Sequence, residues 1–312
     1  MRQVFDGAPP VTRALDDGPT LGIVNPARAR DRFVLARVEP DPGLADLVDW
    51  HWVITWDLPP GTSFTQAVVP HPVGQVVAEE TGYLAYAMPA AAVDRRTLSG
   101  AGGVVGTKLR PGGYRALLGL DHPGERGAVG PAVVLGPTAD RAGAEALAQA
   151  RAGRPDDAVR TVTPLLLAAA GRTRTPRSTA ALAALAEAFA VVADAVPGTT
   201  VAALAARLGT TPRSLQRLFA DWVGVSPKWV LQRHRVHLAA ELLGRDPALD
   251  LAGLAAAVGY YDQAHFTGDF VRAVGVSPGE YARGCAAALR VDDGVRRRGA
   301  DLDSTRGRPD QT

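Results

Sequence analysis

The chain has 312 residues, of which 46% are hydrophobic and 21% charged, enough for two globular cores and too apolar for a disordered protein. Its 34 Lys and Arg against 32 Asp and Glu give a net charge of +2, so whole-chain charge singles out no polyanionic partner. The single cysteine, Cys285, excludes an internal disulfide framework, the longest apolar stretches, such as Leu165 to Ala170, fall short of a membrane span, and Met1 to Arg13 lacks the pattern of a secretory signal, so a cytoplasmic protein is expected.

Residues 1–30 are rich in Pro, Gly, Asp and Arg without periodicity and are expected to form an extended or flexible arm. From Arg32 to about Gly119, short β-branched and aromatic runs alternate with turn residues: RFVLARV, VDWHWVITW, TQAVV, GQVVA, YLAYA and GGVVG. Their close spacing predicts an antiparallel sheet or barrel rather than βαβ units. Trp50, Trp52, Ile54 and Trp56 alternate with His51, Val53 and Thr55, which gives one aromatic strand face, read as core packing. Pro111-Gly112-Gly113 breaks the pattern and Tyr114 to Leu120 opens a short helix. Arg110 beside that break suits either a structural turn or an anion contact.

Thr138 to Ala170 reads as two helices, the second interrupted or restarted at Pro164. A β-rich regulatory domain over 31–170, ending in helices, is thus expected to pass through a linker at 171–178 (GRTRTPRS) into a C-terminal domain over 179–290. Helix returns at Thr179 to Val196 and stops at Pro197-Gly198, leaving Thr199 or Thr200 to cap the next. Residues 291–312 carry mixed charge and few apolar groups, the composition of a disordered tail. The expected fold class is α+β with two domains, the second all-α.

One unit occurs twice in that second domain. LAARLG at 204–209 returns as LAAAVG at 254–259, and GVSP at 224–227 returns at 275–278. Each copy reads apolar helix, Gly turn, second helix with a late aromatic (Phe219, Phe270), then GVSP, the pattern of a helix-turn-helix. In the first copy Thr211 suits the N-cap and Pro212 the first helical position. With Leu215, Leu218 and Phe219 inward, Arg213, Ser214, Gln216 and Arg217 are left outward. Arg pairs with guanine O6 and N7, Gln with adenine N6 and N7. Residues 201–240 carry six cations against Asp221 alone, a local net charge of +5, whereas 241–290 sum to −2. The second copy offers Asp262 as cap, Phe266 and Phe270 inward, and Gln263, Ala264, His265 and Thr267 outward, with Gly268 and the negative Asp269 also on the outer side.

These residues carry a family resemblance. LAARLGTTPRSLQRLF, GVSPKWVLQRHRV, GYYDQAHF and GVSPGEYAR resemble the paired helix-turn-helix domain of the AraC/XylS family of bacterial transcription regulators, over about 90 residues and in order. The resemblance implies base reading by Arg213, Gln216 and Arg217, with Gln263, Ala264, His265 and Thr267 at the matching second positions. It makes Trp229 to Leu243 the connecting helix, which sets the two recognition helices about one DNA turn (~34 Å) apart on one face. A basic residue frequent in the family is replaced by Gly268. Thr211, Lys228, Arg233 and Arg235 are expected to hold the phosphate backbone. VGTKLRPGGYRALLG and the strand DWHWVITW resemble an uncharacterised sensor-like domain of actinobacterial regulators, for which a cupin-like barrel is the analogy.

Double-stranded DNA is therefore the expected partner, with a small-molecule effector of unknown identity, a homodimer, and RNA polymerase if the chain activates. No membrane, cofactor or catalytic residue is expected. His234 and His237 stand at i, i+3 and His51 and His71 lie in the strand region, but HExxH and CxxC patterns are absent, so no metal is assigned. The competing reading is a metal-dependent cupin-like enzyme domain, with metal near His51 or His71, fused to a DNA-binding module.

Overall fold

A computed structural model describes residues 32–68, 73–87, 94–120, 128–130 and 132–286. The arm expected at 1–30, the tail at 291–312 and His71 lie outside the described residues. Strands β1 (Val34–Val38), β2 (Val48–Asp57), β3 (Ser63–Val68), β4 (Gln75–Glu79), β5 (Gly82–Tyr86), β6 (Asp94–Ser99), β7 (Ala101–Leu109) and β8 (Ala128–Val129) make two sheets. Six pair in the order β1-β2-β7-β4-β5-β8 and β3 pairs with β6 alone, all antiparallel. The β-rich expectation holds. Among the described residues the large sheet is open, with β1 and β8 at its edges, rather than hydrogen-bonded around a closed barrel.

Alternation along β2 decides what each sheet face does. Trp52 stands opposite Gly106 and Trp56 opposite Gly102. Those glycines exist to admit the indoles: an added Cβ would lie 2.0 Å from the Trp52 ring and 2.3 Å from that of Trp56. This aromatic face is roofed by the β3–β6 ribbon, where Phe64 and Leu98 meet Phe33, Leu35, Trp52, Ile54 and Trp56. Trp50 instead carries Lys108, whose Nζ sits 3.6 Å from the ring centroid and 3.0 Å from Asp49 Oδ2.

The opposite face, with His51 and Val53 paired to Thr107 and Val105, lies under the helices. After β7 come helices α1 (Gly113–Leu118) and, beyond β8, α2 (Ala132–Leu135), α3 (Ala139–Arg151), α4 (Pro155–Thr173) and α5 (Pro176–Ala193). Helix α3 packs on β4, β5 and β7, and Gly143 lets it approach closely, since a Cβ there would lie 2.8 Å from that of Tyr83. Pro164 does not break α4, contrary to the sequence reading: the helix continues to Thr173, and Thr161 and Thr163 hydroxyls donate to the Asp157 and Val159 carbonyls beside it. The expected linker at 171–178 is mostly helical. Only Arg174 and Thr175 stand between helices, because Thr175 and Ser178 cap each other reciprocally and Pro176 fits the first turn of α5.

Helix α5 has 18 residues and a mean hydropathy of 1.2, long and apolar enough to cross a membrane by those measures, a stretch the sequence reading passed over. In the fold a third of it is buried, with Leu182, Leu185, Ala188 and Val192 packed between the sheet domain and the C-terminal helices.

Those helices are α6 (Val201–Arg207), α7 (Pro212–Trp222), α8 (Pro227–Arg245), α9 (Leu251–Ala257), α10 (Gln263–Val274) and α11 (278–286). One continuous core runs from Val53, Val76 and Val105 through α3 to α5 and into Leu204, Leu215 and Phe219, ending at Val230 and Leu231. A separate core begins at Val236 and holds Leu254, Phe266, Phe270 and Tyr281. The division between cores falls inside α8, not at the expected linker.

His51 is fully buried, with Nδ1 2.9 Å from Thr107 Oγ1, and Nε2 meets no hydrogen-bonding partner among the described residues. Burial pulls its pKa from 6.5 down to about 4. Between those values the unfolded chain takes up a proton that the folded chain excludes. Stability should thus fall as the pH drops through that window, by on the order of 3 kcal/mol at its lower end, and stay level above it for this group. Urea melts from pH 7.5 to 4.5 check this: a His51→Gln chain should lose part of the slope, and an unchanged slope would assign the proton elsewhere.

Candidate nucleic-acid interface

Each reader is built from caps, a turn and an inward aromatic. In the first, Thr200 accepts from the Ala203 N–H to start α6, and Gly209, at φ +60°, reverses the chain. Thr211 accepts from the Ser214 N–H at 3.1 Å and Pro212 occupies the first turn of α7, as the sequence suggests. Leu215 and Phe219 are buried, the latter stacked 5.7 Å from Phe189 of α5. Arg213, Ser214, Gln216 and Arg217 are consequently all exposed. Among the described residues, Arg213, Gln216 and Arg217 have no intramolecular polar partner, so their donors face solvent on the first two turns of α7. Ser214 is less free, since its Oγ lies 3.0 Å from Thr211 Oγ1.

The backbone-contact set divides. Lys228 is exposed on the first turn of α8, which Ser226 caps, and it is open to a phosphate. Arg233 and Arg235 point elsewhere, which corrects the sequence reading of both. Arg233 is 7% exposed, stacks 4.6 Å from the Trp229 ring and donates to the Ala273 carbonyl near the C-terminal end of α10. Arg235 donates to the carbonyls of Thr199 and Gly259. A guanidinium spent on interior carbonyls does not reach a phosphate.

In the second reader, Asp250 accepts from the Gly253 N–H and Asp262 from the His265 N–H, each at 2.7 Å. Phe266 and Phe270 are fully buried, Gln263, Ala264 and His265 are exposed, and Thr267 is half-buried. His265 packs edge-on to Tyr260 at 5.2 Å and its Nε2 is 3.7 Å from Asp269, which leaves it turned along the protein. Asp269, expected on the outer face, is buried, where it accepts from the Tyr260 hydroxyl and pairs with Arg272. Burial, then the Asp269 charge, raises the Tyr260 hydroxyl pKa and keeps it a donor. Tyr261 is wholly exposed in the turn before α10.

The other sequence candidates are structural. Arg110 donates from Nε to the Ala45 carbonyl at 2.7 Å and secures a turn. Burial pushes the Cys285 thiol up to about 11, so it is protonated at neutral pH. Among the described residues no three His, Cys, Asp or Glu converge as a metal centre needs.

Comparisons with known proteins fall on the same two regions. Residues 204–284 match the model of a helix-turn-helix domain, and residues 36–123 match a domain of unknown function (DUF6597). The RCS-specific HTH-type transcriptional activator RclR of Escherichia coli (strain K12) is 37% identical over 82 residues, 26% of this chain and 28% of RclR, so the chain spans little more than a quarter of that relative. Among solved structures, the C-terminal domain of AraT, a response regulator from Geobacillus stearothermophilus, is 30% identical with a TM-score of 0.31, covering 32% of this chain and 84% of that one. ToxT from Vibrio cholerae is 10% identical with a TM-score of 0.37, covering 81% and 98%. Residues 204–284 thus form a helix-turn-helix domain, and residues 36–123 a separate domain of unknown function.

Proposed function

We propose that the chain is a sequence-specific DNA-binding transcription regulator that reads double-stranded DNA with α7 and α10. One observation carries this: Arg213, Gln216 and Arg217 stand exposed and unengaged on the first two turns of a capped helix, inside a region that matches a helix-turn-helix domain. Base contact falls to these three, with Ser214 beside them, and to Gln263, Ala264, His265 and Thr267 in the second reader. Lys228, and Thr211 at the α7 start, meet phosphate. The basic first reader supplies most of the affinity and its salt dependence, and the second extends the site.

The part before residue 171 senses a ligand or mediates assembly as a homodimer, and the part from 179 to 290 binds DNA. Contact between them is direct: Arg115 of α1 donates to the Asp221 carbonyl at 2.8 Å and lies 5.4 Å from the Trp222 ring at the end of α7. A change in the sheet domain therefore reaches the first reader without crossing a flexible joint. Such a regulator works in the cytoplasm, engages RNA polymerase if it activates, and needs no catalysis.

The test is to incubate the purified chain with fragmented genomic DNA of its source and sequence what it retains at about 150 mM salt. Retained fragments sharing one motif support the reading. Uniform retention, in proportion to abundance, contradicts it.

A further inference from the structure

We infer that Arg235 fixes the distance and twist between the two recognition helices, so that preference for operator spacing resides in a side chain that touches no DNA. The inference rests on the proposed DNA reading and adds to it a positioning residue.

The two readers belong to different cores, and α8 is the element shared by both. Its first half packs on α5 and α7, its second half on α10. Where two bodies share one helix, side-chain hydrogen bonds from that helix to both of them fix their mutual angle more firmly than the helix alone. Arg235 lies at the middle of α8, one residue before the second core begins at Val236, and supplies such a tie. Its Nη2 donates to the Thr199 carbonyl at 3.0 Å, in the turn leading into the first reader, and its Nη1 to the Gly259 carbonyl at 3.4 Å, in the turn of the second. A planar guanidinium with several fixed donors holds two such carbonyls at a set angle, which one ammonium does not.

The two turns also touch directly. Gly259 has φ +87°, and a Cβ there would lie 2.7 Å from the Gly198 nitrogen and 2.9 Å from Pro197 Cα. Backbone meets backbone at this point, so only glycine fits. Around the contact, Leu231, His234 and Leu238 of α8 meet Ala195, Pro197 and Val258 about a void of about 20 Å³. Burial and the neighbouring Arg235 charge lower the His234 pKa, which keeps a second positive charge out of this seam at neutral pH. Arg233, two residues earlier, stacks on Trp229 and donates to the Ala273 carbonyl, and makes neither of the two hydrogen bonds to the turns that Arg235 makes.

The experiment uses the full chain, wild type, Arg235→Ala and Gly259→Ala, each checked for folding by circular dichroism. Anisotropy titrations use its selected duplex and the same duplex with one base pair inserted between the two recognised blocks, which shifts one block by about 3.4 Å and ~35°. Wild type should lose roughly tenfold or more in affinity on insertion, because a misplaced reader forfeits base contacts. Arg235→Ala should lose about threefold or less, and Gly259→Ala, which pries the turns apart by another route, should also flatten the spacing profile. If Arg235→Ala lowers the melting temperature but keeps the wild-type spacing penalty, Arg235 is merely structural and the inference is overturned. A wild type indifferent to the insertion also overturns it. A wild type with no preferred duplex at all overturns the DNA reading itself, a failure visible before any variant is compared.

Discussion

Arg213→Ala combined with Arg217→Ala should abolish sequence-selective DNA binding while leaving the fold unchanged. Each guanidinium suits bidentate pairing with a guanine edge, worth about 1–3 kcal/mol of discrimination, so the pair together represents roughly 30-fold to 10⁴-fold in the ratio of specific to random affinity. Neither side chain has a partner to lose among the described residues, both are exposed, and alanine suits a helix interior, so stability should move by less than about 0.5 kcal/mol. Competition titrations against scrambled duplex measure the ratio, and thermal melts measure the fold. Arg233→Ala is the counter-case: it should lower stability of the second reader and leave base preference intact, because Arg233 is buried against Trp229 and Ala273. Equal weakening on all sequences by the Arg213 and Arg217 pair would reassign both to phosphate.

Phe270→Ala should unfold the second reader and spare the rest. The ring is fully buried, 5.6 Å from Phe266 and 5.6 Å from Tyr281, and its truncation costs about 3–5 kcal/mol. That loss falls on a small core with its own boundary inside α8, so the cost has little to share it with. Hydrogen exchange should quicken in α9, α10 and α11 while β2, β7 and α4 keep their protection, and DNA recognition should shrink to the first block. Phe219→Ala acts on the other side of the boundary. Stacked on Phe189 within the larger core, its loss should be felt into the sheet domain. Uniform acceleration across the whole chain for Phe270→Ala would mean that the two cores melt as one.

Local chemistry made much of the fold legible in the sequence. Thr211-Pro212 and Asp262 announce helix starts because a short polar side chain satisfies free N–H groups wherever it occurs, and each caps as expected. The Trp52 and Trp56 alternation fixed one strand face, with Gly102 and Gly106 as its complement across the ladder. Strand β6 was not legible. DRRTLS carries no apolar alternation, and it is a strand only because β3 lies beside it, an exposed ribbon whose pairing is tertiary.

The site was legible in its exposed half and misread in its buried half. A positive charge on a helix reads as surface until its phase is checked. Arg233 lies three residues from both Val230 and Val236, on the buried stripe of α8, and that spacing was available as a warning. Arg235 carries no such signal, since its partners Thr199 and Gly259 are far away in sequence and act through carbonyls that any residue has. Asp269 was misplaced for a related reason: the Tyr260 hydroxyl hydrogen-bonds it and Arg272 neutralises it from the same unit, a triangle that helical spacing alone does not reveal.

Hydroxyl-radical footprinting of the intact chain on a selected duplex addresses the paired readers most directly. Two α-helices entering successive major grooves from one side should protect two short tracts on the same DNA face, centred about 10 base pairs apart, with the tract under α7 more strongly shielded. A single protected tract, or two on opposite faces of the duplex, would contradict a reader built from both units.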